Sequence, residues 1–345
     1  MSKHLIFLVH GMGEFGDGWS RGVQDQLKAL YSAYRIASDF PFDEYYRIEE
    51  ITYNRRFDSL REQWRNDSAQ VLASLEGGGL PRDAAAELAK ASGRLGADHF
   101  LSTHLLDVAL YRGVPMVAED IRTTVARRIL TTLLDNPDED RPRWSMIAHS
   151  LGTAVAHDAL HALFTHEVGG RTLAGATKAH VLMMVANVSR LLEEKSVDVY
   201  KSAVRPGALD GVCRYFINAR HEWDPFPRPR EFRPLDDWPD VRTRAERRYV
   251  PVSINAFQSK NIHALSHYLS NPKVHVEFFR RTFPMEGAIP DAELAQASML
   301  YEASTPFGAF AALQEQLKTL QLAEDAPLQD VFRAFARFFE VLKSF

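Results

Sequence analysis

Trp144-Ser145-Met146-Ile147-Ala148-His149-Ser150-Leu151-Gly152 runs from an apolar segment into a helical one through a very short turn. Residues 144–148 have the short, apolar character of a buried strand, and residues 151–164 that of a helix. A serine at a sharp strand-to-helix turn sits in strained backbone with its hydroxyl pushed outward and exposed. Such a turn crowds the positions two before and two after the serine, so both must be small, and here they are Ala148 and Gly152. The usual form carries glycine at both; Ala148 departs from it by one methyl group. The helix that follows points its N-terminus at the serine, where its dipole and free N–H groups favour a developing oxyanion. Ser150 is therefore the first candidate for a nucleophile, although the same residues also fit a buried serine in an ordinary strand–loop–helix connection.

The rest of the chain sets bounds on that idea. It has 345 residues, 46% hydrophobic and 25% charged, with a net charge of −4, so nothing electrostatic points to nucleic acid or an anionic membrane. Cys213 is the only cysteine, which excludes an internal disulfide and fits a reducing compartment. The apolar run near the N-terminus is too short for a signal-peptide core, and no run reaches the ~18 residues of a transmembrane span. A cytoplasmic protein is expected.

Outward from Ser150, residues 5–9 form a continuous apolar run of the kind found in a parallel strand covered on both faces. It ends in His10-Gly11-Met12-Gly13 and a glycine-rich stretch to Gly18. Glycines directly after a strand let the backbone turn tightly and offer N–H groups to a ligand, but the spacing matches no phosphate loop. A helix over 19–34 and a strand over 46–53 follow. Residues 54–105 turn charged and alanine-rich, with helical pieces at about 57–75 and 82–92 broken by Gly77-Gly78-Gly79. This segment reads either as a mobile lid over the site or as surface helices filling a long connection. Residues 107–134 read as a helix interrupted near Gly113 and Pro115, and 136–142 as an acidic loop. Further core strands are expected at 179–188, 213–217 and 249–254, with a proline- and arginine-rich loop over 225–248 and a short helix ending near 283. Strands alternating with helices predict an α/β three-layer sandwich around a mostly parallel sheet.

Taken together, His10-Gly11-Met12-Gly13 after the first strand, Ala148-His149-Ser150-Leu151-Gly152, Asp224-Pro225 after a late strand, and a histidine beyond the last strand resemble the α/β-hydrolase superfamily, specifically its bacterial serine esterase and lipase-like members. The resemblance covers roughly residues 4–283, and the chain order Ser, Asp, His is that superfamily's. The strand bearing the His-Gly turn is normally third in the family; here it starts at residue 4, so by this resemblance a sheet without the first two strands is expected.

The resemblance implies a mechanism. A serine hydroxyl is a weak nucleophile until an imidazole takes its proton, and the imidazole needs a carboxylate on its other nitrogen. Asp224 is preferred as the acid over Glu222, Asp236, Asp237 and Asp240 because it directly follows a strand and Pro225 turns the chain away. His263, in the loop before a helical turn, is preferred as the base over His267, one turn later. By resemblance the oxyanion donors are the backbone N–H groups of Met12 and Leu151, with His10, Gly11 and Gly152 supporting the two turns. His263 and His267, four apart, could instead share a helix face and bind zinc, but no His-Glu-x-x-His arrangement accompanies them.

Residues 1–283 thus read as the hydrolase domain and 284–345 as a helical extension. Its last helix carries Val331, Phe332, Phe335, Phe339 and Leu342 in a broad apolar stripe. Packing on the body is the first use of such a stripe, and a homo-oligomer contact the second. The expected activity is cleavage of a small-molecule ester or related acyl bond through an acyl-enzyme, with neither metal nor organic cofactor. A lipase or phospholipase, a thioesterase, and a non-catalytic binding protein of the same fold are the alternatives.

Overall fold

Every position of β1 (His4–Val9) is buried, and it lies between β2 (Tyr46–Ile51) and β3 (Trp144–His149). Beyond β3 follow β4 (Ala179–Val185), β5 (Cys213–His221) and β6 (Tyr249–Ile254), giving the order β2-β1-β3-β4-β5-β6 with every pairing parallel. The computed structural model describes residues 3–344 except 14, 96–98, 135–142, 194–197, 208–210, 235–236, 239–247, 284, 286, 306–309 and 325. The acidic loop expected at 136–142 lies outside the described residues.

Side chains on a strand alternate between faces, and these strands supply apolar groups to both. Leu5, Phe7, Val9, Met146 and Ala148 enter one core; Ile6, Leu8, Ile147, Val181 and Met183 enter the other. Between β1 and β2 run α1 (Arg21–Ser32), α2 (Ile36–Asp39) and α3 (Phe42–Tyr45). Five helices separate β2 from β3: α4 (Asn54–Asn66), α5 (Ser68–Gly77), α6 (Arg82–Leu95), α7 (His99–Gly113) and α8 (Pro115–Leu134). After β3 comes α9 (Leu151–Thr165), and after β6 come α10 (Leu265–Ser270), α11 (Pro272–Thr282), α12 (Asp291–Ser304), α13 (Ala311–Lys318) and α14 (Leu328–Ser344). Helices α8 and α9 cover the first face; α1, α10 and α11 cover the second, where Tyr31, Tyr268 and Phe279 are fully buried. The result is α/β with three layers.

Several element boundaries differ from expectation. The piece read as one helix over 57–75 is two, because Asp67 leaves helical geometry and its carboxylate accepts a hydrogen bond from the Gln70 N–H at 3.0 Å, capping α5. The glycine break after α5 is packed: a side chain at Gly78 would lie 1.7 Å from the Gly113 carbonyl oxygen. Val71, Leu75, Leu80, Leu88 and Leu106 belong to the main core, so this segment is built into the body. Helix α14 buries Val331, Phe332, Phe335, Phe338 and Phe339 against that core, with α6 and α7 as its helical neighbours, and so turns its apolar stripe inward. No described helix is long and apolar enough to cross a membrane.

Close packing also marks Gly152, where an added Cβ would lie 2.1 Å from the His10 carbonyl oxygen and 2.9 Å from that of Val9. Both are backbone atoms, so Gly152→Ala should lower stability by about 2 kcal/mol or more. Gly77→Ala, on helical backbone with nothing within 4 Å, should raise it by about 0.5–1 kcal/mol. Denaturation curves for the two variants should therefore shift in opposite directions.

Candidate active site

Ser150 ends β3 at φ 53° and ψ −127°, a conformation that residues with a Cβ rarely adopt. Four hydrogen bonds hold it there. The Ser150 N–H donates to the Val185 carbonyl at 2.9 Å, and the Ser150 carbonyl accepts from the Thr153 N–H at 2.8 Å and hydroxyl at 2.6 Å. The Thr153 hydroxyl in turn accepts from the Val188 N–H at 2.9 Å. Such strain, of order 1–3 kcal/mol, persists only where the surroundings over-determine it. Gly11 fits against the same turn: a Cβ there would sit 2.9 Å from the Ser150 Cβ. Ala148 is fully buried, and its methyl is accommodated.

The structure brings three of the four candidate catalytic side chains into one line. His263 Nε2 lies 2.9 Å from Ser150 Oγ, and its Nδ1 lies 2.7 Å from Asp224 Oδ2. Asp224 is buried just past the end of β5 and accepts two further hydrogen bonds, from the Tyr268 hydroxyl at 2.8 Å and the Phe226 N–H at 3.0 Å. Burial pushes its carboxyl up, but the His263 imidazole, the Phe226 N–H and the Tyr268 hydroxyl outweigh that and hold it below the usual range. Glu222 and Asp237 are exposed, and Asp236 and Asp240 lie outside the described residues.

His267 is placed elsewhere. The helix begins only at Leu265, so the two histidines do not share a helical face. His267 Nδ1 lies 3.3 Å from the Ser259 hydroxyl, its ring is 5.3 Å from that of His221, and burial lowers it to about 4, leaving it neutral. Among the described residues no group of three or more histidine, cysteine or acidic side chains could hold a metal ion.

His10 braces its turn. Its Nδ1–H donates to the Gly11 carbonyl at 2.8 Å, Nε2 accepts from the Tyr53 N–H at 3.4 Å, and its ring stacks on Tyr53 at 4.0 Å. Burial lowers it to about 3, so it stays neutral. The N–H groups of Met12 and Leu151 donate to no loop or turn carbonyl among the described residues. The glycine-rich stretch offers fewer donors to a ligand than its sequence suggests: the N–H of Gly13 goes to Asp107 at 3.0 Å and that of Gly18 to Glu50 at 2.6 Å.

Several contributors left no sequence signal. His149 donates from Nε2 to the His263 carbonyl at 2.7 Å, fixing the backbone that carries the imidazole. Phe226 stacks on the His263 ring at 4.0 Å, and Phe335 of α14 stacks on Phe226 at 4.0 Å. A cavity of about 260 Å³ beside Ser150 is lined mainly by Met12, Phe15, Trp19, Val23, Leu265 and Phe339. Among the described residues, none from 54–105 lines this cavity. Ser150 itself is 0% exposed, not projecting into solvent as the sharp turn suggested; it lies in the lining of this cavity. A larger hollow of about 470 Å³ touches Asp224 but neither Ser150 nor His263, so it lies off the reacting line.

Tyr268→Phe removes one of the donors holding the buried Asp224 carboxylate. It should cost about 2 kcal/mol at neutral pH. Because that carboxyl is lowered in the folded protein, the stability it contributes is present above its unfolded value, near 3.9, and is lost as pH falls below it. The gap between variant and wild type should therefore narrow on acidification, as measured by denaturation at a series of pH values, leaving the part due to the His221 N–H that donates to the Tyr268 hydroxyl at 3.0 Å. Comparison of the chain with family models, with curated proteins and with solved structures found no match.

Proposed function

We propose that this protein is a serine hydrolase of the α/β-hydrolase type that cleaves a carboxylic ester or a related acyl bond. The observation that carries the proposal is the buried line Ser150 Oγ–His263 Nε2, His263 Nδ1–Asp224 Oδ2 at 2.9 and 2.7 Å. His263 takes the Ser150 proton as Oγ attacks the acyl carbon, and Asp224 holds the ring and stabilises the imidazolium. The tetrahedral oxyanion goes to the N–H groups of Met12 and Leu151. Collapse releases the alcohol, which leaves with the proton from His263. Water, activated by the same imidazole, then hydrolyses the acyl-enzyme. The reaction needs neither metal nor organic cofactor. The strand order, the positive φ of Ser150 and the chain order Ser, Asp, His all support the assignment. The single cysteine, buried Cys213, accords with a cytoplasmic setting.

The cavity narrows the substrate. At about 260 Å³ it falls below the ~300 Å³ at which drug-sized ligand sites begin, and its lining is mostly apolar. A short acyl group fits it better than a lipase's long chain, which would require Phe339 to move. The closed Ser150 is the one observation favouring a non-catalytic binding protein.

A fluorophosphonate probe should label the wild type and fail on folded Ser150→Ala. His263→Ala should lose about as much turnover as Ser150→Ala, since such groups act as a unit, while His267→Ala should mainly lose stability. Labelling that survives Ser150→Ala, or turnover that vanishes only in His267→Ala, would overturn the assignment. With p-nitrophenyl esters of graded length, kcat/KM should peak at short acyl chains and shift to longer ones in Phe339→Leu. A wild-type optimum at long chains would rule out this cavity as the acyl site.

A further inference from the structure

A buried ion pair outside the reacting line binds directly to the turn that follows β1. Arg61 of α4 and Asp107 of α7 are paired through the guanidinium Nε and Nη2, with side chains only 3% and 1% exposed. Both also bind Gly13. Its N–H donates to Asp107 Oδ2 at 3.0 Å, and its carbonyl accepts from Arg61 Nη2 at 2.9 Å. Asn54 adds a second donor to that carbonyl at 2.9 Å and reaches the Phe15 carbonyl at 3.0 Å. Gly13 itself sits at φ 118°, where glycine alone is at ease. One residue's N–H and C=O are thus gripped from both sides, next to Met12 and two positions from the Gly11 that abuts Ser150.

Burying such a pair is poor value for stability alone, because apolar residues of similar volume often do as well or better. Burial raises the Asp107 carboxyl even though the Arg61 guanidinium and the Gly13 N–H oppose it. What apolar residues could not do is hold both hydrogen-bonding groups of the Gly13 peptide. We propose that Arg61 and Asp107 are positioning residues that fix Gly11-Met12-Gly13 against Ser150 and so preorganise the oxyanion site. In this role the helices between β2 and β3 act as a brace on the catalytic loop. The inference rests on the hydrolase assignment for its catalytic consequence, but its structural content stands independently.

Three variants test it. Arg61→Lys keeps the charge but lacks the planar fork needed to serve Asp107 and the Gly13 carbonyl together. Asp107→Asn keeps an acceptor for Gly13 but removes the buried charge opposite Arg61, leaving the guanidinium, among the described residues, only the exposed Asp58 carboxylate, at 2.7 Å, as an ion partner. The double variant Arg61→Met/Asp107→Leu removes both charges at similar volume and remains informative if a single variant fails to fold. Each is compared with wild type by hydrogen exchange of the segment 11–15, by kcat and KM on a short ester, and by affinity for a boronic acid that forms a tetrahedral adduct on serine. In folded variants, exchange at 11–15 should accelerate at least tenfold. The kcat should fall on the order of 10- to 100-fold with KM within about twofold, and boronate affinity should fall in parallel with kcat. Wild-type exchange and kcat in the folded double variant would overturn the proposal. Faster exchange in a protein whose wild type neither takes the probe nor turns over ester would uphold the brace and reject the hydrolase assignment instead.

Discussion

Two chain reversals touch at the carboxyl edge of the sheet, and their contact governs the rest of the molecule. Strands β1 and β3 are parallel neighbours in register, Val9 beside Ala148, so the turns leaving them lie side by side. Gly152 packs under the His10 carbonyl while Gly11 packs against Ser150, each filling space that a Cβ would deny. Because every strand runs the same way, the loops after β5 and β6 open at that same edge, where α/β sheets gather their functional groups. Asp224 and His263 reach Ser150 for this reason, although they are 74 and 113 residues further along the chain.

The edge also concentrates ionisable groups away from water, and the fold handles the two buried carboxylates differently. Asp224 meets an imidazole, a phenol hydroxyl and an N–H, and these together more than offset its desolvation. Asp107 meets a full guanidinium and one N–H, yet burial still prevails. The surrounding histidines go the other way: His10, His221 and His275 are all driven toward the neutral form by burial. A neutral ring can donate through one nitrogen and accept through the other, which is how His10 serves both Gly11 and Tyr53.

How much of this was legible in the sequence depended on how local the cause was. The strands and the turn at Ser150 could be read because apolar runs and small residues act over a few positions; the strand expected at 249–254 matches β6 in both bounds. The Asp67 cap inside the first inserted helix was passed over because the helical periodicity continues across it. For His263 and His267, spacing alone could not choose. Placement in a loop before a helical turn favours His263, and α10 begins at Leu265, two residues beyond it. Arg61 and Asp107, 46 residues apart on different helices, left no pattern, since nothing in either helix marks the one side chain that turns inward. The stack of Phe335 on Phe226 was hidden for the same reason.

That stack bears on the order in which the chain is made. Ser150, Asp224 and His263 leave the ribosome well before α14, which supplies Phe335 behind Phe226 and Phe339 to the cavity wall. Met12, Phe15, Trp19, Val23 and Leu265 of the cavity lining also precede α14, so Phe339 and the ring behind Phe226 are the last parts of the apolar surround to be made. A fragment ending before Leu328 would contain Ser150, Asp224 and His263 yet lack Phe335 behind Phe226 and Phe339 in the cavity lining. Synthesis thus makes the three polar side chains first, and the complete apolar surround belongs only to chains that extend through α14.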